Sequence, residues 1–191
     1  MDPQQFAAAY ALATSIGLRA FITLALASLA MHFGYLHPAP TFAWLGSNGA
    51  TTVLLGLAAL EFAGEKIPLV DHAMHAVHFA TKPIAAAILV GAVMPEDGNA
   101  IAPATYAMMG LGALNALGIH TVSSAVRATS TATTAGIANP FVSLLEDVLA
   151  VAGSLLAIAL PILAAIGALA ITIAIVLVAR RIALVTRRRA A

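Results

Sequence analysis

The chain has 191 residues, of which 61% are hydrophobic and 9% are charged, and it contains no cysteine. An ordinary soluble domain is excluded, because several apolar runs approach or exceed the roughly 18 to 20 residues that span a bilayer. The lack of cysteine excludes disulfides and thiolate metal sites. Nucleic-acid binding is disfavoured, since five of the nine basic residues lie in the last twelve positions and no basic surface accompanies them. We therefore predict one all-α integral membrane domain over residues 1–191.

Apolar stretches separated by turn signals predict six membrane-spanning helices. Aromatic residues near Trp44, in the connection after the first span, suit a membrane–water interface. Residues 129–140 contain four Thr together with Ser, Gly and Pro, and this composition predicts an irregular segment between the fourth and fifth spans. The predicted spans cover residues 4–32, 49–63, 71–94, 102–128, 141–159 and 162–180.

The basic residues predict the orientation of these spans, because Lys and Arg accumulate in cytoplasmic connections. The arginine-rich tail after Arg180 is predicted to be cytoplasmic, and an even number of spans then places the N-terminus on the same side. The connections with Lys66 and Arg127 also fall inside, whereas the acidic connection at Glu96 falls outside. The many small residues are compatible with a homo-oligomer.

A short motif occurs twice in the chain. The first span contains Ser15-Ile-Gly-Leu-Arg19-Ala, and the fourth contains Ser123-Ser-Ala-Val-Arg127-Ala. These two spans run in opposite directions in the predicted topology. If the echo extended over both halves of the chain, the fold would be a 3+3 inverted repeat, an architecture that many transporters share.

Ionisable residues interrupt the apolar segments and form stripes on helix faces. An ionisable side chain at bilayer depth costs several kcal/mol unless it faces protein, water or an opposite charge, so these stripes are expected to converge. In the third span, Asp71, His75, His78 and Lys82 are spaced to share one face of a helix. The other candidate residues are Arg19 in the first span, Glu61 in the second, Arg127 in the fourth, and Asn139, Glu146 and Asp147 at or in the fifth.

Three interpretations of these stripes remain open. Imidazole and carboxylate groups together suit Zn, Mn, Fe or Ni, and Asp71, His75, His78 and Glu146 would supply the ligands of a divalent metal. The same groups could relay protons, because histidine titrates near neutral pH. Alternatively, the charges only pair with one another and specify how the helices pack.

Residues 129–140 form a second candidate site. Irregular backbone at membrane depth is tolerated only where it lines a cavity or is buried in protein. Thr, Ser and Asn139 side chains together with free carbonyl groups could there coordinate a cation, and the N-terminus of the helix after Pro140 could attract an anion. The other interpretation is a plain cytoplasmic loop in which Asn139 or Ser143 caps the fifth span.

Three segments carry a resemblance to a known family. They are Ser15-Ile-Gly-Leu-Arg19-Ala-Phe, the segment from Leu60 to His72, and the segment from Ser130 to Asp147. Together they resemble bacterial membrane proteins grouped as the domain of unknown function family 4126. The resemblance covers nearly the whole chain, and it implies a small polytopic protein of the bacterial inner membrane. It implies no activity.

The sequence as a whole favours a six-span transport protein or channel for a small ion, either a metal cation or an ion linked to protons. Its expected partners are the lipid bilayer and that ion. A non-transporting membrane scaffold with structural ion pairs is the alternative. An intramembrane metal-dependent enzyme is a third hypothesis, which needs a tightly bound metal; no cofactor other than a divalent metal ion is suggested.

Overall fold

The computed structural model describes residues 2–65, 67–96 and 101–190, and these residues form helices and turns without a β-strand. The prediction of an all-α fold is confirmed. Proline lies in the first turn of most helices, where its missing N–H removes no helical hydrogen bond. The helices are α1 (Pro3–Leu18), α2 (Ala20–His32), a 3-10 helix (Pro40–Gly46), α3 (Asn48–Gly64), α4 (Pro68–Val93), α5 (Pro103–Thr134), α6 (Asn139–Ala159) and α7 (Pro161–Ala190).

Helices α1 and α2 form a hairpin whose tip is Arg19. The backbone of Arg19 is extended, with φ −137° and ψ 108°, and it separates the two helices. Gln4, near the start of α1, lines a surface cavity together with Leu36 and His37, which follow α2. The two outer ends of the hairpin therefore meet at one end of the bundle, called the upper end below. The prediction of one continuous span over residues 4–32 was wrong.

The remaining helices alternate in direction around this hairpin. Thr51 of α3 contacts Ser28 in the upper part of α2, whereas Glu61 of α3 contacts the hairpin tip, so α3 runs away from the upper end. Helix α4 returns, since its last residue, Val93, lines the upper cavity. Helix α7 starts at the same cavity with Pro161 and runs away from it. The start of α1 therefore lies at the upper end of the bundle, and α7 leads away from that end.

The predicted irregular segment is mostly helical, because α5 continues to Thr134. Two of its threonines donate hydrogen bonds to the preceding turn of the helix. Thr133 Oγ1 donates to the carbonyl of Thr129 at 2.9 Å, and Thr134 Oγ1 donates to that of Ser130 at 2.7 Å. Hydroxyls satisfied in this way are compatible with a helix. The chain turns only afterwards, at Ala135 and Gly136, which have positive φ angles of 51° and 85°.

Within the described residues, two helices are long and apolar enough to cross a membrane, over Ala76–Val93 and Asn139–Ala159. The pair Pro40–Gly46 and Asn48–Gly64, bent by 62°, would be a third if it acts as one span. Helix Ala20–His32 is apolar but shorter. The described residues thus contain two or three candidate spans, not clearly the six that were predicted. The first predicted span consists of two short helices.

Small residues let α5 pack closely against α1 and α4. A Cβ atom built on Gly17 would lie 2.5 Å from Cβ of Ile119, so only glycine fits at this crossing. Gly112 of α5 packs in the same way against Val90 of α4. This close packing, together with a core rich in buried alanine, brings polar residues of α4 and α5 against the end of α1. No internal repeat is evident in the described part of the chain. The first copy of the short motif lies at the end of a helix, at Arg19, whereas the second copy lies inside α5, which continues past Arg127.

Candidate functional site

The tip of the α1–α2 hairpin is surrounded by buried ionisable side chains from four other helices. None of them is more than 6% exposed, which is unusual for charged residues unless they are paired. This set is named the charge cluster. Its members are Arg19, Glu61, Glu65, His78, Lys82, His120, Arg127, Glu146 and Asp147.

The break at Arg19 creates a new helix N-terminus in the bundle interior, and a carboxylate caps it. Glu61 Oε1 accepts a hydrogen bond from the backbone N–H of Ala20 at 3.0 Å. Glu61 Oε2 accepts from those of Phe21 and Ile22, at 2.9 and 3.1 Å. The first N–H groups of a helix have no partner within it and carry partial positive charge. Glu61, which is fully buried, therefore satisfies three of these donors of α2.

The same break leaves the last carbonyl groups of α1 without hydrogen-bond partners in the helix, and an ammonium group binds two of them. Lys82 Nζ donates to the carbonyl oxygens of Gly17 and Leu18, at 3.1 and 2.7 Å. A helix C-terminus carries partial negative charge, so a cation is stabilised there. The two half-helix ends are thus each matched by a side chain of opposite charge, one from α3 and one from α4.

The side chain of Arg19 connects α1 and α2 to α3 and α6. Its Nε lies 2.7 Å from Asp147 Oδ1, and its Nη2 lies 3.4 Å from Glu146 Oε2. Its Nη1 forms an ion pair with Glu65. Nη2 also donates to the carbonyl and the hydroxyl of Ser143, both at 2.9 Å. The extended backbone at the tip lets this guanidinium reach partners on both sides of the hairpin.

Arg127 of α5 shares two carboxylates with Arg19. Its Nη2 lies 2.7 Å from Glu65 Oε2 and also donates to Glu146 Oε2. The hydroxyl of Ser123, one turn earlier in α5, donates to the other oxygen of Glu146. The two arginines of the repeated sequence motif therefore meet at the same pair of carboxylates.

Two histidines lie beside the hairpin tip. His78 Nε2 is 3.6 Å from Glu61 Oε1, and its Nδ1 is 3.9 Å from Glu65 Oε1. His120 Nδ1 is 3.1 Å from Lys82 Nζ. The rings of His78 and His120 meet edge to face with centroids 6.0 Å apart. These contacts link the ion pairs around Glu65 to the ammonium group at the end of α1.

The ligand atoms of Glu61, Glu65 and His78 all lie within 4.8 Å of one another, so these residues could hold a metal ion. The metal site predicted from the sequence had a different composition. His78 belongs to both sets, but Glu146 pairs with the two arginines instead. The side chains of Asp71 and His75, the other predicted ligands, lie outside the described part of the structure.

Within the described charge cluster, carboxylates outnumber permanent cations by one. With four negative and three positive groups, and with both histidines neutral, the formal charge is −4 + 3 = −1. One further positive charge would neutralise the cluster. The carboxylates are Glu61, Glu65, Glu146 and Asp147, and the cations are Arg19, Lys82 and Arg127.

The structure brings most of the predicted site residues together, with one clear exception. Asn139 lies at the start of α6, where its amide donates to Thr131 Oγ1 at 2.8 Å in an exposed turn away from the cluster. Predicted residues found in the cluster are Arg19, Glu61, His78, Lys82, Arg127, Glu146 and Asp147.

Sequence reasoning left Glu65 and His120 out of the predicted site. Glu65 lies just beyond the second predicted span, residues 49–63, although it follows Glu61 by four residues and that spacing places both side chains on one helix face. His120 precedes Arg127 by seven residues and therefore shares its face of α5. For both residues, the spacing along the helix would have indicated that they belong to the site.

A second polar group lies above the charge cluster and is uncharged. Tyr10 donates its phenolic hydrogen to Thr172 Oγ1 at 2.8 Å. The amide of Asn115 donates to Thr14 Oγ1 at 2.8 Å, and its Oδ1 lies 3.3 Å from Thr172 Oγ1. This network joins α1, α5 and α7 between the hairpin tip and the upper end.

No curated protein and no solved structure matches this chain. The model of a family described as a domain of unknown function, DUF4126, matches residues 6–181. Because this match covers most of the 191 residues, the chain belongs to the DUF4126 family.

Proposed function

We propose that this protein is a bacterial inner-membrane transport protein or channel, and that a small cation passes through the charge cluster. The observation that carries the proposal is the broken helix at Arg19, whose two half-helix ends face Glu61 and Lys82. Discontinuous helices with charged partners near the middle of a membrane form the ion sites of many transporters.

The depth of the hairpin tip supports this proposal. At 1.5 Å per residue, α1 and α2 are about 24 and 20 Å long, which is shorter than the roughly 30 Å hydrocarbon core. Lys82 and Asp147, which both contact the tip, lie inside the two candidate spans Ala76–Val93 and Asn139–Ala159. We therefore propose that the hairpin enters the membrane from one side and ends within it.

This arrangement replaces the six predicted crossings with a re-entrant hairpin and five crossings, formed by α3 to α7. The arginine-rich C-terminal tail is then cytoplasmic, because basic segments stay on that side. The upper end of the bundle, which carries Trp44 and the start of α1, faces the periplasm in this proposal.

The charge of the cluster favours a cation over an anion. An uncompensated negative charge in a membrane interior is costly, and an ion of opposite sign relieves that cost. The contact of His78 with both Glu61 and Glu65 places two carboxylate oxygens at the point where such a cation could be held.

Reconstitution into liposomes tests the proposal. Vesicles containing the protein are expected to take up a small cation faster than protein-free vesicles, with H⁺, Na⁺, K⁺ and Mn²⁺ tested separately. Glu65→Gln, which removes a charge at the centre of the cluster, is expected to lower this uptake at least tenfold. Glu96→Gln is the matched control, because Glu96 lies at the upper end and contacts only the backbone N–H of Thr41 among its described contacts. Equal uptake with and without protein, for every cation, would refute the proposal.

A membrane scaffold is the second candidate function, and the mutual pairing of the charges favours it. Arg19 and Arg127 share Glu65 and Glu146, an arrangement that fixes the positions of α3, α5 and α6 without any ion. In a scaffold, Glu65→Gln would lower the unfolding temperature while vesicle uptake stays at the protein-free level for both the variant and the wild type.

A further inference from the structure

The ammonium group of Lys82 lies in a site that is shaped for a free cation. It has three N–H donors, and the structure gives it three acceptors: the carbonyl oxygens of Gly17 and Leu18 and Nδ1 of His120, at 3.1, 2.7 and 3.1 Å. His120 Nδ1 must accept in this contact, since an ammonium nitrogen has no lone pair to offer. The side chain of Lys82 is 2% exposed, so water does not compete strongly for these contacts.

The three acceptors are held in place by backbone packing. Two of them belong to the last turn of α1, whose carbonyls are left without helical partners by the break at Arg19. The third is fixed by the close approach of α5 to α1 at Gly17, where a side-chain carbon would collide with Ile119. Removal of the lysine side chain would therefore leave a preorganised group of oxygen and nitrogen acceptors.

We propose that Gly17, Leu18 and His120 form a binding site for a monovalent cation, which the ammonium of Lys82 occupies as a tethered ion. We further propose, on the basis of the function proposed above, that the transported ion is a monovalent cation that exchanges with this ammonium. The formal charge of −1 supports this ion class, because one positive charge neutralises the cluster and two would overcharge it.

Chemical rescue of Lys82→Ala tests the site without any transport measurement. Alanine keeps Cβ and removes three carbons and the ammonium nitrogen, so n-propylammonium matches the deleted atoms. In detergent at constant ionic strength, n-propylammonium, and more weakly ammonium or K⁺, is expected to raise the unfolding temperature of Lys82→Ala saturably. Tetramethylammonium, which has no N–H donor, should not raise it. n-Propylammonium should not raise the unfolding temperature of the wild type, in which the ammonium of Lys82 occupies the site.

Arg127→Ala is the matched control, because it also removes a buried cation from the cluster. Its partners are carboxylates, so it is expected to respond to guanidinium and not to n-propylammonium. If Lys82→Ala does not accumulate, Lys82→Ser and cell-free synthesis into detergent with each cation provide a second readout, the yield of monodisperse protein.

Equal responses of Lys82→Ala to n-propylammonium and tetramethylammonium, in both stability and yield, would overturn the cation site. This outcome is distinguishable from failure of the proposed function. Rescue without vesicle uptake refutes the transport role alone, and uptake without rescue refutes the tethered-ion site alone. Uptake of Mn²⁺ in preference to Na⁺, K⁺ and H⁺ would overturn the assignment of a monovalent ion.

Discussion

The two copies of the Ser-Xaa-Xaa-Xaa-Arg motif fold differently, although their arginines bind the same carboxylates. At the first copy the helix ends, and Arg19 has an extended backbone. At the second copy α5 continues through Arg127 to Thr134. Glu65 and Glu146 nevertheless contact both guanidinium groups.

The difference lies in the partners that each copy finds on other helices. At Arg19, Glu61 satisfies the N–H groups of the new helix and Lys82 the carbonyls of the old one. Unsatisfied backbone groups in a membrane interior each cost several kcal/mol, so a helix breaks there only if other residues replace the lost hydrogen bonds. A broken helix is therefore a property of the surrounding bundle more than of its own sequence.

Replacement of either arginine is expected to have the largest effect on stability. Arg19→Ala removes a buried cation that contacts Glu65, Glu146 and Asp147, and it should lower the free energy of unfolding by about 3–5 kcal/mol. Arg127→Ala removes a cation from Glu65 and Glu146 and should also be strongly destabilising. Because both arginines share Glu65 and Glu146, the double variant should deviate from additivity by about 0.5–3 kcal/mol. Reversible unfolding of the two single variants and the double variant in mixed micelles measures this deviation. Strictly additive losses of unfolding free energy would contradict the shared site.

Loss of the side chain that caps α2 is expected to have the second-largest effect on stability. Glu61→Leu removes the acceptor of three backbone N–H groups and should cost about 3 kcal/mol. Glu61→Gln retains an amide oxygen as acceptor, so its loss of unfolding free energy is expected to be smaller. Unfolding of the two variants in the same micelles provides the comparison, and equal losses would show that the backbone N–H groups do not depend on this side chain.

The glycine in the first copy offers a sharper contrast, because the second copy has Ala125 at the corresponding position. Gly17→Ala would press Cβ against Ile119 and should destabilise the protein by about 1–3 kcal/mol. Gly118→Ala, on the opposite helix, has no atom within 4 Å of the added carbon and should be neutral or slightly stabilising. A similar loss at both glycines, measured by thermal unfolding, would argue against a tight α1–α5 crossing.

The serines of the two copies should show the smallest difference. Ser123 donates to Glu146, so Ser123→Ala is expected to cost about 1.5–3 kcal/mol at most, the range for hydrogen bonds to charged groups. Ser15 donates to the carbonyl of Ala11 in its own helix, and Ser15→Ala should cost only about 0.5 kcal/mol, the low end for neutral hydrogen bonds. The same unfolding assay compares the stability losses of the two serine variants. A larger loss at Ser15 would contradict the assigned contacts.

Much of the site could be predicted from the sequence. Charged residues in apolar segments must converge, because lipid does not solvate them, and seven of the predicted residues indeed lie in one cluster. The individual pairs could not be predicted, since helical spacing gives the face of one helix and not its neighbour. Glu146 was grouped with the histidines of α4, for example, but its described partners include Arg19, Arg127 and Ser123.

The break at Arg19 was not predictable in the same way. No proline or glycine interrupts the sequence from Leu18 to Phe33, and residues 4–32 look like one long apolar helix. The misassignment of residues 129–140 has the opposite origin, because Thr and Ser disfavour a helix only when their hydroxyls compete with it. In α5 these hydroxyls donate to the preceding turn instead.

By itself, the sequence determined the all-α class, the positions of most helix ends and most of the residues that are buried together. Composition and proline positions are local properties, and the cost of a charge in lipid holds for any fold. Only the tertiary structure decided that the first apolar segment turns back at Arg19, which carboxylates the arginines share, and that Lys82 caps a half-helix. Each of these depends on distances between segments far apart in the chain, and residue spacing along one helix does not encode them.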